Sequence, residues 1–303
     1  MPSEILDIPL QPAPAGTRRS LRVLRFGAAD ARPKAYVHAG LHADETPGLL
    51  AVRHLIRMLE NAEANDAIPG QVVVVPYANP IGLAQFIHGE QSGRFDLATG
   101  SNFNRGWPDL AGAAAPKVEG RLGGDGDANA ALIRRALHEA LDALTPVREL
   151  DALRLTLARE ACDADFVLDL HCDDEGLMHL FVMKSQWPLC RDLAGDLGCR
   201  AVLFADNAGR GTFMESLAAP WQRLAAQHPG HPIPQSCLSL TVELRGYADV
   251  SDELAAADAA ALFRALQRRG MVAGNPGRPP DAPCEPAGLD ACDIIRAPCS
   301  GIV

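Results

Sequence analysis

Aromatic residues are scarce in this sequence: 5% of 303 residues, with 3 tryptophans and 3 tyrosines. Aliphatic side chains and abundant alanine must fill the core instead, which favours helix-rich layers packed with small groups. No apolar run approaches the ~18 residues that a membrane-spanning helix needs. Met1 to Arg19 also lack the basic, apolar, then small-residue order of a secretion signal. Positive charge is in deficit, with 28 Lys and Arg against 38 Asp and Glu, a net of −10. Without a basic cluster interleaved with aromatics, such a field repels nucleic acid. The 8 cysteines, at 162, 172, 190, 199, 237, 284, 292 and 299, contain no C-x-x-C pair, which excludes zinc-ribbon and thioredoxin-like chemistry. Scattered thiols in a chain this long are the reduced, partly buried kind, so a cytoplasmic location is expected. G-x-S-x-G, a strand-following G-x-G-x-x-G and G-x-x-x-x-G-K-[ST] are all missing. The run Asp125, Asp127, Asn129 lacks the sixth-position glycine and closing glutamate of a calcium loop. The expected partner is a small molecule, with neither nucleic acid nor membrane, and a homo-oligomer is compatible with this composition.

What is present reads as a layered α/β protein. Hydrophobic residues make up 48% and charged residues 22%, an ordinary globular balance. A chain this size buries roughly 75% of its unfolded surface and needs no staple. Residues 1–20, rich in Pro and Ala, read as an irregular lead-in. Strands are expected at Leu21–Phe26, Ala35–His38, Gln71–Pro76, Asp165–Leu170, Leu180–Met183, Ala201–Phe204 and Leu238–Leu244. The four consecutive valines Val72 to Val75 suit a strand covered on both faces. Helical spacing marks Thr46–Leu59, Ala128–Ala143, Arg148–Glu160, Pro188–Leu197 and Ser251–Arg269, the last with Ser251 as N-cap. Residues 86–127 carry no periodicity. A structureless stretch of that length inside a compact chain is functional or mobile. From Gly270 onward the chain is Pro/Gly-rich.

The chemistry-bearing residues sit at expected strand ends, where open α/β sheets bind ligands. Gly40-Leu-His42-Ala-Asp-Glu45 follows one strand and enters a helix. Its imidazole and carboxylate supply two-thirds of the His₂Glu set of catalytic zinc hydrolases. The plainer alternative is an exposed His beside a helix-capping Glu. Asp165-Phe-Val-Leu-Asp-Leu-His171 offers a third ligand, with Asp169 able to hold the other imidazole nitrogen. His38 and His179, within or near strands, read as packed core histidines. Glu243, ending Ser239-Leu-Thr-Val-Glu243, lies on the face opposite Leu240, Val242 and Leu244. A carboxylate there needs a partner, either a metal-activated water whose proton it takes or an ion pair with Arg245 or Arg264. Arg94 and the pair Asn104-Arg105, in the long polar stretch, could hold a carboxylate or an oxyanion, or simply be solvated.

Taken together and in order, His42-Ala-Asp-Glu45, Pro76-Tyr-Ala-Asn79-Pro80, Asn104-Arg105-Gly-Trp-Pro, Asp169-Leu-His171 and Thr241-Val-Glu243 resemble the succinylglutamate desuccinylase/aspartoacylase family of zinc carboxypeptidase-like deacylases. The resemblance spans roughly residues 20–270. It implies a mixed, mainly parallel twisted sheet of about eight strands with helices on both faces, and one Zn²⁺ per chain. By the same resemblance His42, Glu45 and His171 are the metal ligands, Glu243 the general base, Arg94 the oxyanion partner, and Asn104 and Arg105 the substrate-carboxylate clamp, with Asp169 supporting His171. The implied reaction is hydrolysis of a small N-acylated, carboxylate-bearing amide or an ester. A metallocarboxypeptidase acting on peptides and a metal-binding protein without catalysis are the alternatives. Two departures stand out. Many members carry a glycine where this chain has Arg245. Members also continue into a C-terminal β-rich domain, from which aspartoacylase draws a site tyrosine, whereas the tyrosines here are Tyr36, Tyr77 and Tyr247. The expected layout is therefore a lead-in over 1–20, a catalytic domain over 21–270, and a tail over 271–303. In that tail Arg296 to Val303 resembles the opening of a missing or truncated β domain.

Overall fold

A computed structural model describes residues 1–206, 211–293, 295–296 and 298–299. Its strands are β1 (Glu4–Pro9), β2 (Ser20–Phe26), β3 (Lys34–Ala39), β4 (Gln71–Val75), β5 (Phe86–Ile87), β6 (Glu90–Gln91), β7 (Phe166–Asp173), β8 (His179–Val182), β9 (Ala201–Phe204), β10 (Leu238–Gly246) and β11 (Pro286–Gly288). The helices are α1 (Thr46–Ala64), α2 (Leu110–Val118), α3 (Gly126–Asp142), α4 (Glu149–Ala161), α5 (Arg191–Leu197), α6 (Phe213–Gln227) and α7 (Asp252–Arg268). Nine strands form one sheet in the order β1-β2-β4-β3-β7-β10-β8-β9-β11, while β5 and β6 make a separate small hairpin. Neighbours β4, β3, β7 and β10 run parallel, as do β8, β9 and β11, whereas β1–β2, β2–β4 and β10–β8 are antiparallel. This is the expected mixed, mainly parallel sheet, with nine strands in place of about eight.

The period-two alternation of each central strand divides the core between two faces. Ala35, Val37, Val72, Val74, Phe166, Leu168 and Leu170 pack with α1, α5 and α7. Tyr36, Val73, Val75 and Val167 pack on the other side with α2, α3, α4 and α6. The valine run is thus buried on both faces, as a central parallel strand requires.

Three expectations need correction. The lead-in is not irregular throughout: Glu4–Pro9 pairs antiparallel with Ser20–Phe26, so the chain enters the fold as an edge strand. The stretch 86–127 contains α2 and the β5–β6 hairpin. Alanines with Pro116 obscured the helix, which starts at Asp109 through a side-chain bond from Gly112 N–H. The Pro/Gly-rich tail also contributes β11, pairing with β9. In the stretch Arg296–Val303, residues 297 and 300–303 lie outside the described residues. Among the described residues, no helix is long and apolar enough to cross a membrane, and every cysteine is a free thiol.

Candidate metal centre

Adjacent parallel strands β3, β7 and β10 carry their C-terminal ends to one edge of the sheet, and three separated sequence motifs meet there. After β3 the chain turns at Gly40, whose φ of +72° is open to glycine at no steric cost. His42 follows, and Glu45 stands at the start of α1 with its side chain free of any capping bond. The turn is braced from below. Asn79, fully buried, donates from Nδ2 to Leu41 O at 2.9 Å and accepts at Oδ1 from Gly82 N–H at 2.8 Å. It is braced from above by Gly93, where a Cβ would sit 2.3 Å from Asp44 N. That close approach lets Ala43 N–H reach Gly93 O at 3.0 Å and Gly93 N–H reach Asp44 Oδ2 at 3.0 Å.

His42 Nδ1 lies 2.8 Å from Glu45 Oε1, and His171 Nδ1 lies 2.7 Å from Glu45 Oε2. The ring centroids are 4.8 Å apart, and one ligand atom from each residue lies within 4.8 Å of the others. Bond lengths near 2 Å require ligands no farther apart than about 5 Å. The opposite ring nitrogens are occupied. His42 Nε2 donates to Asn102 Oδ1 at 2.9 Å, an oxygen that also accepts from Asn104 N–H at 2.8 Å. His171 Nε2 faces Asp169 Oδ1 at 2.8 Å. Each ring thus donates from Nε2, and its Nδ1, a lone pair in the neutral ring, faces the same carboxylate. Lone pairs aimed at an anion repel it, unless a proton or a cation stands between them. The donor set of two imidazoles and a carboxylate, with its outer nitrogens already held, fits a divalent ion.

The electrostatics agree with the geometry. Burial opposes ionisation of Glu45, but His171 and His42 hold its carboxyl down at about 2. Burial alone would lower His171, yet the charges of Asp169 and Glu45 raise it well above the ordinary imidazole value. Glu243 is the opposite case. Burial pushes it up to about 8, against a lowering by His171 and with help from Glu45, Asp173 and Asp169. In register it pairs with His171 of β7, so both side chains rise from the same side of the sheet. Its Oε2 is buried and has no hydrogen-bond partner. The alternative ion pairs do not form: Arg245 is taken by Asp258 and Arg264 by Asp196.

A cavity of about 210 Å³ opens over these groups, lined by the polar residues Arg94, Asn104, Arg105, Asp173 and Thr241 and by the apolar residues Phe181, Ala205, Met214 and Leu289. Arg94 Nη1 donates to Glu45 Oε1 at 2.9 Å. Burial would lower its pKa, but Glu45 and the Tyr247 hydroxyl beside it raise it. Burial, followed by Asp44 and Glu45, lifts that Tyr247 hydroxyl to about 12. Arg105 lines the cavity with Nη1 donating to Asn104 O at 2.7 Å. The Asn104 side chain is committed to the scaffold: Oδ1 accepts from Trp107 Nε1 at 3.1 Å and Phe213 N–H at 2.7 Å, and Nδ2 faces Asp169 Oδ2 at 3.4 Å. It therefore joins the metal centre to the start of α6.

His38 and His179 stay outside the cluster. His38 Nε2 meets Asp169 Oδ1 at 2.6 Å while its ring stacks on Phe213, and His179 Nδ1 donates to Leu177 O at 2.8 Å. Reading the sequence alone missed Asn102 as the partner of His42, and missed α6, which supplies Met214 and Glu215 to the cavity wall. A signal for α6 was present. Thr212-x-x-Glu215 forms a capping box, with Thr212 N–H bonded to Glu215 Oε2 at 2.8 Å.

The chain matches the family model of the succinylglutamate desuccinylase/aspartoacylase catalytic domain over residues 31–269. Among curated proteins none matches it. A solved succinylglutamate desuccinylase/aspartoacylase family protein from Shewanella amazonensis SB2B is 27% identical, with a TM-score of 0.79 over 95% of this chain and 78% of its own. A second, from Shewanella frigidimarina NCIMB 400, is 23% identical with a TM-score of 0.81 over 97% and 79%. A metallo-carboxypeptidase from Burkholderia cenocepacia shares the fold at 17% identity and a TM-score of 0.53 over 88% and 64%.

Proposed function

This chain belongs to the succinylglutamate desuccinylase/aspartoacylase family, and from that premise we propose that it is a zinc-dependent hydrolase removing the acyl group from a small N-acylated, carboxylate-bearing amide. The observation that carries the reading is the convergence of His42, Glu45 and His171 within 4.8 Å, beside a glutamate whose buried Oε2 has no partner. His42 Nδ1, the Glu45 carboxylate and His171 Nδ1 would hold one Zn²⁺ per chain. When bound, the ion supplies Lewis acidity, lowering the pKa of a water toward ~7 and polarising the acyl carbonyl.

The protein's own groups do the rest. Glu243 accepts the proton of the attacking water and returns it to the departing amine. Its raised affinity for a proton suits a group that must take one up and give it back near neutrality. Arg94 stands against the developing oxyanion, and its raised pKa keeps it charged throughout. Arg105 offers a planar fork to the substrate carboxylate. Asp169, Asn102 and Asn104 hold the imidazoles in place, so the centre needs little reorganisation. The groups that carry this chemistry all fall within the stretch 21–270, and the proposed setting is the cytoplasm, with a small molecule as substrate.

The test is turnover of N-acetyl and N-succinyl amino acids, beside blocked dipeptides, by the zinc-loaded chain. Release of acid and free amino acid from an acylated member supports the proposal. Cleavage confined to dipeptides would reassign the protein as a carboxypeptidase. Tight binding of an acylated amino acid without product over hours would make it a binding protein, for which a buried general base has no use.

A further inference from the structure

At the end of β10 one residue adopts a conformation that side chains avoid. Arg245 has φ of +65°, in the left-handed region normally taken by glycine. It falls where β10 loses register with β7. Glu243 pairs with His171, and the next pair is Gly246 with Asp173, so β10 carries an extra residue there. Such a bulge bends a strand and re-aims the side chains beside it. On the other flank, pairing with β8 ends at Glu243 with His179. Glu243 is thus the last residue of β10 held on both sides, and the kink begins directly after it.

The kink is fastened from outside the sheet. Arg245 Nη1 and Nη2 reach Asp258 Oδ1 and Oδ2 at 3.0 and 2.6 Å, a parallel two-pronged contact to a buried carboxylate on α7. The chain beyond is pinned by Gly246 N–H to Asp249 Oδ2 at 3.0 Å and Tyr247 N–H to Asp174 O at 3.2 Å. Glu243 has no comparable tether on its buried Oε2. Its aim into the cavity depends on the main chain beneath it.

We propose that Arg245, locked to Asp258, is a positioning residue that latches the β10 bulge and so keeps the Glu243 carboxylate directed at the metal centre. This rests on Glu243 being the proton acceptor. The latch acts through backbone conformation, since the guanidinium charge is answered by Asp258 on α7 and not by Glu243. It therefore predicts an unusual order among substitutions. Glycine adopts positive φ without strain, whereas alanine does not. Both leave Asp258 without its partner to the same degree, so any difference between them reports the backbone alone.

The experiment measures kcat, KM and the pH profile of the zinc-loaded full chain on whichever N-acetyl or N-succinyl amino acid it turns over, with melting temperature and zinc content read for every variant. Arg245→Ala should lower kcat by about tenfold to hundredfold, in line with the ~10²-fold cost that a misplacement of about 1 Å can carry. Its KM and zinc content should stay close to wild type. Arg245→Gly should recover most of that kcat, and Arg245→Lys, which cannot fork, should fall between. The acid limb of the pH profile should be common to all three. Equal impairment of the glycine and alanine variants, no impairment of either, or a shifted acid limb shared by both overturns the latch. Should Arg245→Ala fail to fold, Asp258→Asn takes its place, and unchanged kcat in that variant overturns the proposal. Glu243→Gln, run alongside, separates the failures. Full turnover there removes the base assignment, whereas an inactive Glu243→Gln beside a fully active Arg245→Ala removes the latch alone.

Discussion

At the starts of β3 and β7, Asp163 and Asp165 are met by full cations: Lys34 Nζ lies 2.6 Å from Asp163, Arg32 lies 3.0 Å from both aspartates, and Arg134 lies 2.5 Å from Asp165. At the opposite ends of the same strands, Glu45 and Asp169 are met by the rings of His42, His171 and His38, while Glu243 Oε2 has no partner. One end is electrically closed and the other is short of positive charge. Arg94 reaches Glu45 from the rim, with 43% of its side chain exposed, and does not fill the space between the imidazoles. The contrast separates two uses of a buried carboxylate. Matched to lysine and arginine it fastens strands together, and matched to imidazoles it could seat an ion. Surroundings also drive Glu45 and Glu243 in opposite directions, the histidines holding the first down at about 2 and burial pushing the second up to about 8, which supports the proposed permanent charge on the first and proton traffic on the second.

The comparison can be broken most sharply at Glu243. Glu243→Gln should keep zinc and the fold while turnover falls by about 10³-fold, within the usual range for losing a general base. Next in size is Asp169→Asn, which weakens the hold on His171. Zinc affinity, read by competition with a chelator, should fall about 10–100-fold. The smallest effect belongs to the closed end. Burial opposes ionisation of Asp163, yet His138, Lys34 and Arg32 hold its carboxyl well below the usual range. Asp163→Asn should cost about 2 kcal/mol of stability and leave zinc content and kcat alone. Because the folded pKa is depressed, that contribution is complete above the unfolded value near ~4 and disappears as pH falls through the folded one. Melting curves of wild type and Asp163→Asn should therefore converge on acidification. A loss of zinc in Asp163→Asn would erase the distinction between the two ends.

Much of the candidate site was legible because its proposed ligands lie at or just beyond the ends of strands whose apolar pattern is unambiguous. Phe166 to Leu170 and Leu238 to Val242 announce themselves, and the chemistry comes directly after. The supports were harder to read because they act across the chain. Arg154, on α4, donates to Asn102 O at 3.0 Å and so steadies the partner of His42 from 52 residues away. No local pattern encodes that. Edge elements escaped for a related reason: β1 (Glu-Ile-Leu-Asp-Ile-Pro) and β11 (Pro-Ala-Gly) contain no fully buried residue, and their pairing comes from a neighbour and not from their own sequences. Arg245 looked like a departure from the resemblance. Its φ of +65° explains why glycine suits the position and what an arginine there needs in compensation.

Metal content of the purified chain tests the account most directly. After loading with zinc and removal of excess, wild type should hold one ion per chain, and His171→Ala should hold almost none while remaining folded. Wild type that comes through without zinc, or His171→Ala that retains a full equivalent, would contradict the proposal that His42, Glu45 and His171 together form the site.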